Sequence, residues 1–208
     1  MKEYQLFAPI KTYFEDKGYS IYAEVKNCDV IAQKEKEIII IEMKLRFNIK
    51  IIYQALDRQK ISDKVYVALP RPKKNKEYIK KILKSLELGL IIIENNKIIE
   101  IFEPLKEAPR NNKRKRELIK EIEEREIDDN IGGINNKKIN TAYRQKAAKI
   151  AKILLKIGPS SAKEIIKNYN CPKESREIMY RNYYGWFERA GNGIYMLSDL
   201  GKKEAENV

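Results

Sequence analysis

Apolar positions in the first hundred residues alternate between two rhythms. Leu6, Ile10, Tyr13 and Phe14 recur at helical spacing within residues 5–17, predicting an amphipathic helix that Gly18 caps. Three short extended segments follow, Tyr19 to Val25, Asp29 to Gln33 and Ile38 to Leu45, close enough in sequence to form an antiparallel meander. The third contains four consecutive isoleucines, the signature of a central strand buried on both faces. Residues 48–61 return to a helical period through Ile52, Ala55, Leu56 and Gln59, with Asn48 as N-cap. Such a helix crosses over the sheet and delivers Val65 to Leu69 as a strand parallel to the isoleucine strand. Pro70 and Pro72 end that strand, Glu77 to Leu86 makes a further helix, and Leu90 to Ile93 and Ile98 to Phe102 flank an Asn95-Asn96 hairpin turn. This order gives an α/β sandwich of about a hundred residues, enough to bury its own core.

The rhythm then changes. Arg110 to Arg116 is strongly basic, Glu117 to Glu126 is charged and helix-prone, and Asp128 to Gly133 has turn composition. These features predict a hydrated linker over 108–138, between a domain at 1–107 and another at 139–208. In the latter, Asn140 to Leu155 carries Ala147, Ile150, Ala151 and Leu154 on one side and stops at Gly158-Pro159. Ser161 to Glu164 forms a capping box for a second helix, and Pro172 opens a third that runs to Tyr184. Trp186 to Arg189 and Ile194 to Ser198 then read as a hairpin. Three helices and a hairpin make a winged-helix layout, its third helix bearing Arg176, Tyr180, Arg181 and Asn182 as candidate DNA contacts. Tyr180 and Trp186 have an alternative use as core residues that hold the hairpin.

With 43 basic and 30 acidic residues, the formal charge of +13 suits a polyanionic partner, although the lysine-rich composition can account for part of it. There is no histidine. That excludes Ser-His and Cys-His nucleophiles and histidine-bound zinc, leaving carboxylates, lysine, tyrosine or a metal for any catalysis. Two cysteines far apart fit neither a disulfide framework nor a zinc site. No apolar run is long enough to cross a bilayer and no signal-like segment opens the chain, so a soluble cytoplasmic protein without membrane contact is expected.

The candidate chemistry lies at the end of the isoleucine strand. Period-two alternation projects Glu42 and Lys44 from one face, and Asp29 and Glu24 come from the neighbouring strands. Taken alone, Glu42-Met43-Lys44 is an ordinary strand salt-bridge spacing, and Glu24 equally well pairs with Lys26 or Lys44. Two carboxylates about 4 Å apart repel by roughly 4 kcal/mol at an effective dielectric of 20, so Asp29 and Glu42 together call for a cation. Oxygen donors select Mg²⁺ or Mn²⁺.

Cys28-Asp29, Glu42-Met43-Lys44 after an apolar strand, and a helix bearing Gln54 and Arg58 resemble the PD-(D/E)XK nuclease superfamily. The runs E-V-K-N-C-D, I-E-M-K-L-R-F-N, Q-A-L-D-R, V-Y-V-A-L-P-R-P, T-A-Y-R-Q and Y-R-N-Y-Y-G-W-F-E-R are similar to a bacterial family of PD-(D/E)XK phosphodiesterase-like proteins, and G-W-F-E-R-A-G-N-G-I-Y-M-L-S-D-L-G resembles the wing of winged-helix domains attached to Mrr-type restriction enzymes. The resemblance implies a restriction-endonuclease-like three-layer core around a mixed sheet, and a divalent-metal-dependent DNA nuclease. Asp29 and Glu42 would ligate Mg²⁺ or Mn²⁺, with Glu24 as an accessory carboxylate. Lys44 would act on the attacking water, Gln54 would complete the catalytic set, and Arg58 would hold a phosphate. Cys28 departs from the proline of the motif name. The alternative is a non-catalytic nucleic-acid-binding or regulatory protein on a nuclease-like fold. A homodimer pairing two sites is compatible with either.

Overall fold

The computed structural model describes residues 2–104, 112–125, 130, 132 and 140–206. They fall into two compact units, one built from the N-terminal 124 residues with 128–139, the other mainly from residues 140–208.

In the N-terminal unit a short 3-10 turn, Glu3–Leu6, leads into α1, Phe7–Glu15. Strands β1 (Ser20–Val25), β2 (Cys28–Lys34) and β3 (Glu37–Met43) form the antiparallel meander. Helix α2 (Ile49–Arg58), whose N-cap Asn48 accepts from the Ile51 amide at 3.1 Å, crosses over to β4 (Lys64–Pro70), parallel to β3. Helix α3 (Lys76–Ser85) leads to β5 (Gly89–Glu94), parallel to β4, and β6 (Lys97–Phe102) returns antiparallel at the edge. The six strands lie in sequence order, so the isoleucine strand sits inside the mixed sheet and hydrogen-bonds on both sides.

Alternation sorts the strand residues between two layers. Ile39, Ile41, Met43, Tyr66 and Ala68 pack under α1 with Leu6, Ile10 and Phe14. On the other face Val65, Val67 and Leu69 meet Ile51 and Ala55 of α2 and Ile79 and Leu83 of α3. Helix-sheet-helix layering follows because both faces of β3 and β4 are apolar and must be covered.

Helix α4 (Asn112–Glu123) corrects the expected hydrated linker over 108–138. Leu118 and Ile122, one helical turn apart, are buried against Ile31, Ile38 and Ile40, while Lys115 reaches Asp63 at 2.6 Å. The helix therefore closes the second face of the meander. Leu118→Ala is expected to lower stability by about 3 kcal/mol through the cavity it leaves, measured by urea unfolding. A loss no larger than that of an exposed-site substitution would restore the linker reading. The Asp128-Asp129 pair and most of the 128–133 turn lie outside the described residues.

The C-terminal unit contains α5 (Ala142–Ile157), β7 (Ser160–Ser161), α6 (Ala162–Tyr169), α7 (Ser175–Arg181), β8 (Phe187–Gly191), β9 (Ile194–Leu197) and α8 (Asp199–Glu206), with strands ordered β7-β9-β8. Trp186 belongs to its core with Ile150, Leu154 and Ile178, whereas Tyr180 is exposed. Helix α7 is shorter than the predicted span to Tyr184 because Asn182 turns left-handed at φ 47° and ends it. The alternation rule gave no hint of α8. No helix among the described residues is long and apolar enough to cross a membrane.

Candidate active site

Cα pairing of β2 with β3 runs from Lys34–Glu37 to Val30–Ile41, and one step further along the two strands stand Asp29 and Glu42. Asp29 does not continue the ladder. Its Oδ2 instead accepts from the Met43 amide at 2.8 Å, which fixes the carboxylate at the carboxyl end of β3 and leaves Oδ1 without a hydrogen bond among the described residues. Gly132 backs this corner, where a Cβ would stand 2.7 Å from the Asp29 carbonyl oxygen and 2.8 Å from the Met43 methyl. Only glycine lets the chain approach so closely.

Glu42 is fully buried, and its partner is Arg58. The guanidinium donates from Nε to Glu42 Oε1 at 2.7 Å, from an amino nitrogen to the Asn27 carbonyl at 2.7 Å, and to Asp57 at 3.3 Å. This corrects the expected role of Arg58 as a phosphate contact. Helix α2 buries Ile51, Ala55 and Arg58, and Leu56 and Gln59 of the expected face also turn inward, so the inward face is broader than the one read through Ile52, Ala55, Leu56 and Gln59 and takes in the arginine. Glu42 Oε2 and Gln54 Oε1 are buried with no hydrogen-bond partner among the described residues.

Lys44 is not the ion-pair partner of Glu42, as the shared face suggested. Its Nζ donates to Glu3 Oε1 at 2.7 Å. Glu3 was invisible in the sequence because a glutamate at the start of a helical turn is an ordinary terminal charge. Glu24 adopts φ 54°, a kink at the end of β1, and no three Asp, Glu or Cys side chains gather as a ligand set among the described residues. It therefore does not join Asp29 and Glu42 as the expected third carboxylate.

The electrostatics follow from this geometry. Burial first, and then the charge of Asp29, push the Glu42 carboxyl up to about 7, against the opposing pull of Arg58. Asp29 is also raised, by burial, with the Met43 amide working against it. Burial favours the neutral amine of Lys44, but the Glu3 hydrogen bond and the Asp29 and Glu42 charges outweigh it and hold the group above its ordinary range. Lys44 is thus a fixed cation.

Because folded Glu42 binds its proton more tightly than in the unfolded chain, its contribution to stability without divalent ions is full below about 4.5 and is lost as pH rises toward about 7, where the decline levels off. Urea midpoints between pH 4.5 and 8 test this. Glu42→Gln, which stays neutral, should show a shallower decline, and an equal slope in both proteins would remove Glu42 as its source.

The donor set fits a hard divalent ion. Among the described residues Asp29 Oδ1 and Glu42 Oε2 are carboxylate oxygens without hydrogen bonds, the second fully buried, and a cation would offset the burial that lifts both groups and the Asp29 charge that adds to it at Glu42.

The C-terminal unit holds a second candidate surface, a cavity of about 830 Å³ between α7 and the β8–β9 hairpin. Lys163, Lys173, Arg176 and Arg189 line it, and Arg189 lies over the Tyr180 ring at 5.2 Å. The lining carboxylates Glu174 and Glu177 are engaged by Lys146 at 3.8 Å and Arg181 at 2.7 Å, neither of which lines the cavity. Arg181 also donates to the Tyr183 hydroxyl. Asn182 is spent structurally, donating to the Phe187 carbonyl at 2.7 Å and accepting from its amide at 3.0 Å, which corrects its expected role as a base contact.

Comparison with curated proteins and with solved structures found no match. The family described as "Putative PD-(D/E)XK phosphodiesterase (DUF2161)" matches residues 90–204, from the start of β5 through the C-terminal unit. Asp29, Glu42 and Lys44 lie before the matched residues, so their assignment rests on geometry. The six-stranded mixed sheet between helical layers is consistent with a restriction-endonuclease-like core. With the match spanning more than half of its 208 residues, the chain belongs to this PD-(D/E)XK phosphodiesterase family.

Proposed function

We propose that the protein hydrolyses phosphodiester bonds in DNA with Mg²⁺ or Mn²⁺ held by Asp29 and Glu42. The observation that carries this reading is the pair of carboxylate oxygens left without hydrogen bonds among the described residues, Glu42 Oε2 in full burial, beside Lys44 at the carboxyl end of β3. When bound, the ion supplies charge neutralisation at the phosphate and a more acidic water. The Met43 amide orients Asp29, and Arg58 holds Glu42 from the opposite side, so neither carboxylate has to reorganise. Lys44, kept protonated by Glu3, stabilises negative charge developing on the phosphate and does not serve as a general base. Gln54 Oε1 has no hydrogen-bond partner, leaving it available to a water or to the ion.

The C-terminal unit is read as a winged-helix DNA-binding module on the support of its α5, α6, α7 and hairpin order and of Lys163, Lys173, Arg176 and Arg189, which line the cavity between α7 and the hairpin without an ion pair among the described residues. Arg176 and Tyr180 are its candidate contacts.

A second reading has its own observation. Arg58 already neutralises Glu42, as expected of a nuclease-like fold that binds nucleic acid without turnover. Incubation with supercoiled, linear, single-stranded and branched DNA in Mg²⁺ or Mn²⁺ separates the two. Cleavage abolished by Asp29→Asn supports hydrolysis, whereas salt-sensitive binding without cleavage of any substrate supports the second reading.

A further inference from the structure

A groove of about 520 Å³ opens where β3 and β4 end. Two stretches form most of its wall, Leu45 to Phe47 directly after Lys44, and Pro70 to Asn75 between β4 and α3. Because β3 and β4 are parallel, with Glu42 opposite Val67 and Met43 opposite Ala68, both stretches leave the sheet at the edge that carries the candidate site.

The charge of the groove is one-sided. Arg46, Arg71, Lys73 and Lys74 line it and no Asp or Glu does. Arg71 is held by Glu94 at 3.0 Å, while Arg46, Lys73 and Lys74 are exposed and have no ion pair among the described residues. Several other cations of this unit are answered. Lys64 meets Glu37, Lys76 and Lys80 share Glu100, Arg114 meets Asp57, and Lys115 meets Asp63. Three unanswered cations in one groove repel one another and gain from an anion that spans them.

The walls have the further properties of a binding surface. Pro70 and Pro72 fix the backbone of the second stretch. Asn75 precedes α3 with φ 64° and its side chain makes no capping hydrogen bond, so the side-chain amide is not used on its own helix. Phe47 and the partly exposed Leu45 supply apolar surface beside the cations.

A small phosphodiester would need only the groups at Asp29, Glu42 and Lys44. The groove begins in the chain directly after Lys44, and its cations suit an anion that carries further phosphates beyond the scissile one. We infer that the groove lined by Arg46, Lys73 and Lys74 holds the phosphates that flank the scissile bond of a polynucleotide. This rests on the phosphodiesterase reading for its direction along the strand, but binding in the groove can be measured without turnover.

The test uses the full chain and a variant carrying Arg46→Ala, Lys73→Ala and Lys74→Ala, all exposed positions, with circular dichroism to verify folding. Fluorescence anisotropy with a labelled DNA oligonucleotide in EDTA reads binding alone. Losing three phosphate contacts should weaken binding at least tenfold at moderate salt, and should reduce the slope of log K against log salt by about 3, at roughly 0.9 per phosphate for a duplex. A parallel variant with Arg176→Ala and Arg189→Ala separates this contribution from that of the C-terminal unit. With Mn²⁺, kcat/KM for the polynucleotide should fall at least tenfold more than for bis(p-nitrophenyl) phosphate. Unchanged affinity and salt slope in the triple variant would overturn the inference. Should the wild type bind through the groove yet cleave neither substrate, the phosphodiesterase reading fails and the groove assignment stands.

Discussion

Lys44→Ala is expected to lower metal-dependent DNA cleavage by about 10²- to 10³-fold, the usual cost of removing one preorganised group that stabilises transition-state charge. Lys44 lies two residues after Glu42 and is kept cationic by Glu3, with Nζ 2.7 Å from the carboxylate. The loss should fall mainly on kcat, because the charge that Lys44 answers develops during reaction. The fold should survive, since the side chain is only partly buried and its ion pair stabilises modestly. Glu3→Gln provides the informative contrast. It leaves the ammonium in place but removes the group that holds it, so its effect on kcat should be smaller. Undiminished cleavage by Lys44→Ala would sink the assignment.

The second large effect concerns stability. Arg58→Met should destabilise the protein by about 3–5 kcal/mol in urea at pH 8, because it leaves Glu42 buried and charged without its partner. The penalty should shrink toward pH 6, where Glu42, whose carboxyl sits at about 7 even with Arg58 present, takes up a proton. Adding Glu42→Gln to Arg58→Met should recover much of the loss by removing the uncompensated charge. A penalty independent of pH and unrelieved by the double substitution would mean that Arg58 acts through its packing alone.

Much of the N-terminal unit was legible because its elements obey simple periods. The isoleucine run could be nothing but an interior strand, and Asn48, Pro70 and Asn95-Asn96 marked boundaries through backbone chemistry. Helix α4 was not legible as part of the core, since two apolar residues, Leu118 and Ile122, are outnumbered by charges that make the segment look solvated. In the candidate site, strand alternation located Asp29, Glu42 and Lys44 at one end of the sheet but could not allot their partners. An ion pair is decided by which helix face turns inward, and Arg58 turns inward because the buried face of α2 is broader than the stripe of Ile52, Ala55, Leu56 and Gln59. Glu3 joins Lys44 across most of the unit's early sequence, a contact no local pattern encodes. Asn182 looked like a reading residue because amides read bases, yet the same amide satisfies the Phe187 backbone where α7 ends.

The close approach of Gly132 to Asp29 bears on what counts as the smallest working piece of this protein. A fragment ending at Phe102 would contain all six strands and every candidate ligand, and by composition would look self-sufficient. It would lack α4, which seals Ile31, Ile38 and Ile40, and the glycine wedged behind the Asp29 peptide. The chain past the sheet is therefore a scaffold for the candidate site that precedes it, and a boundary drawn at the last strand would cut through that support.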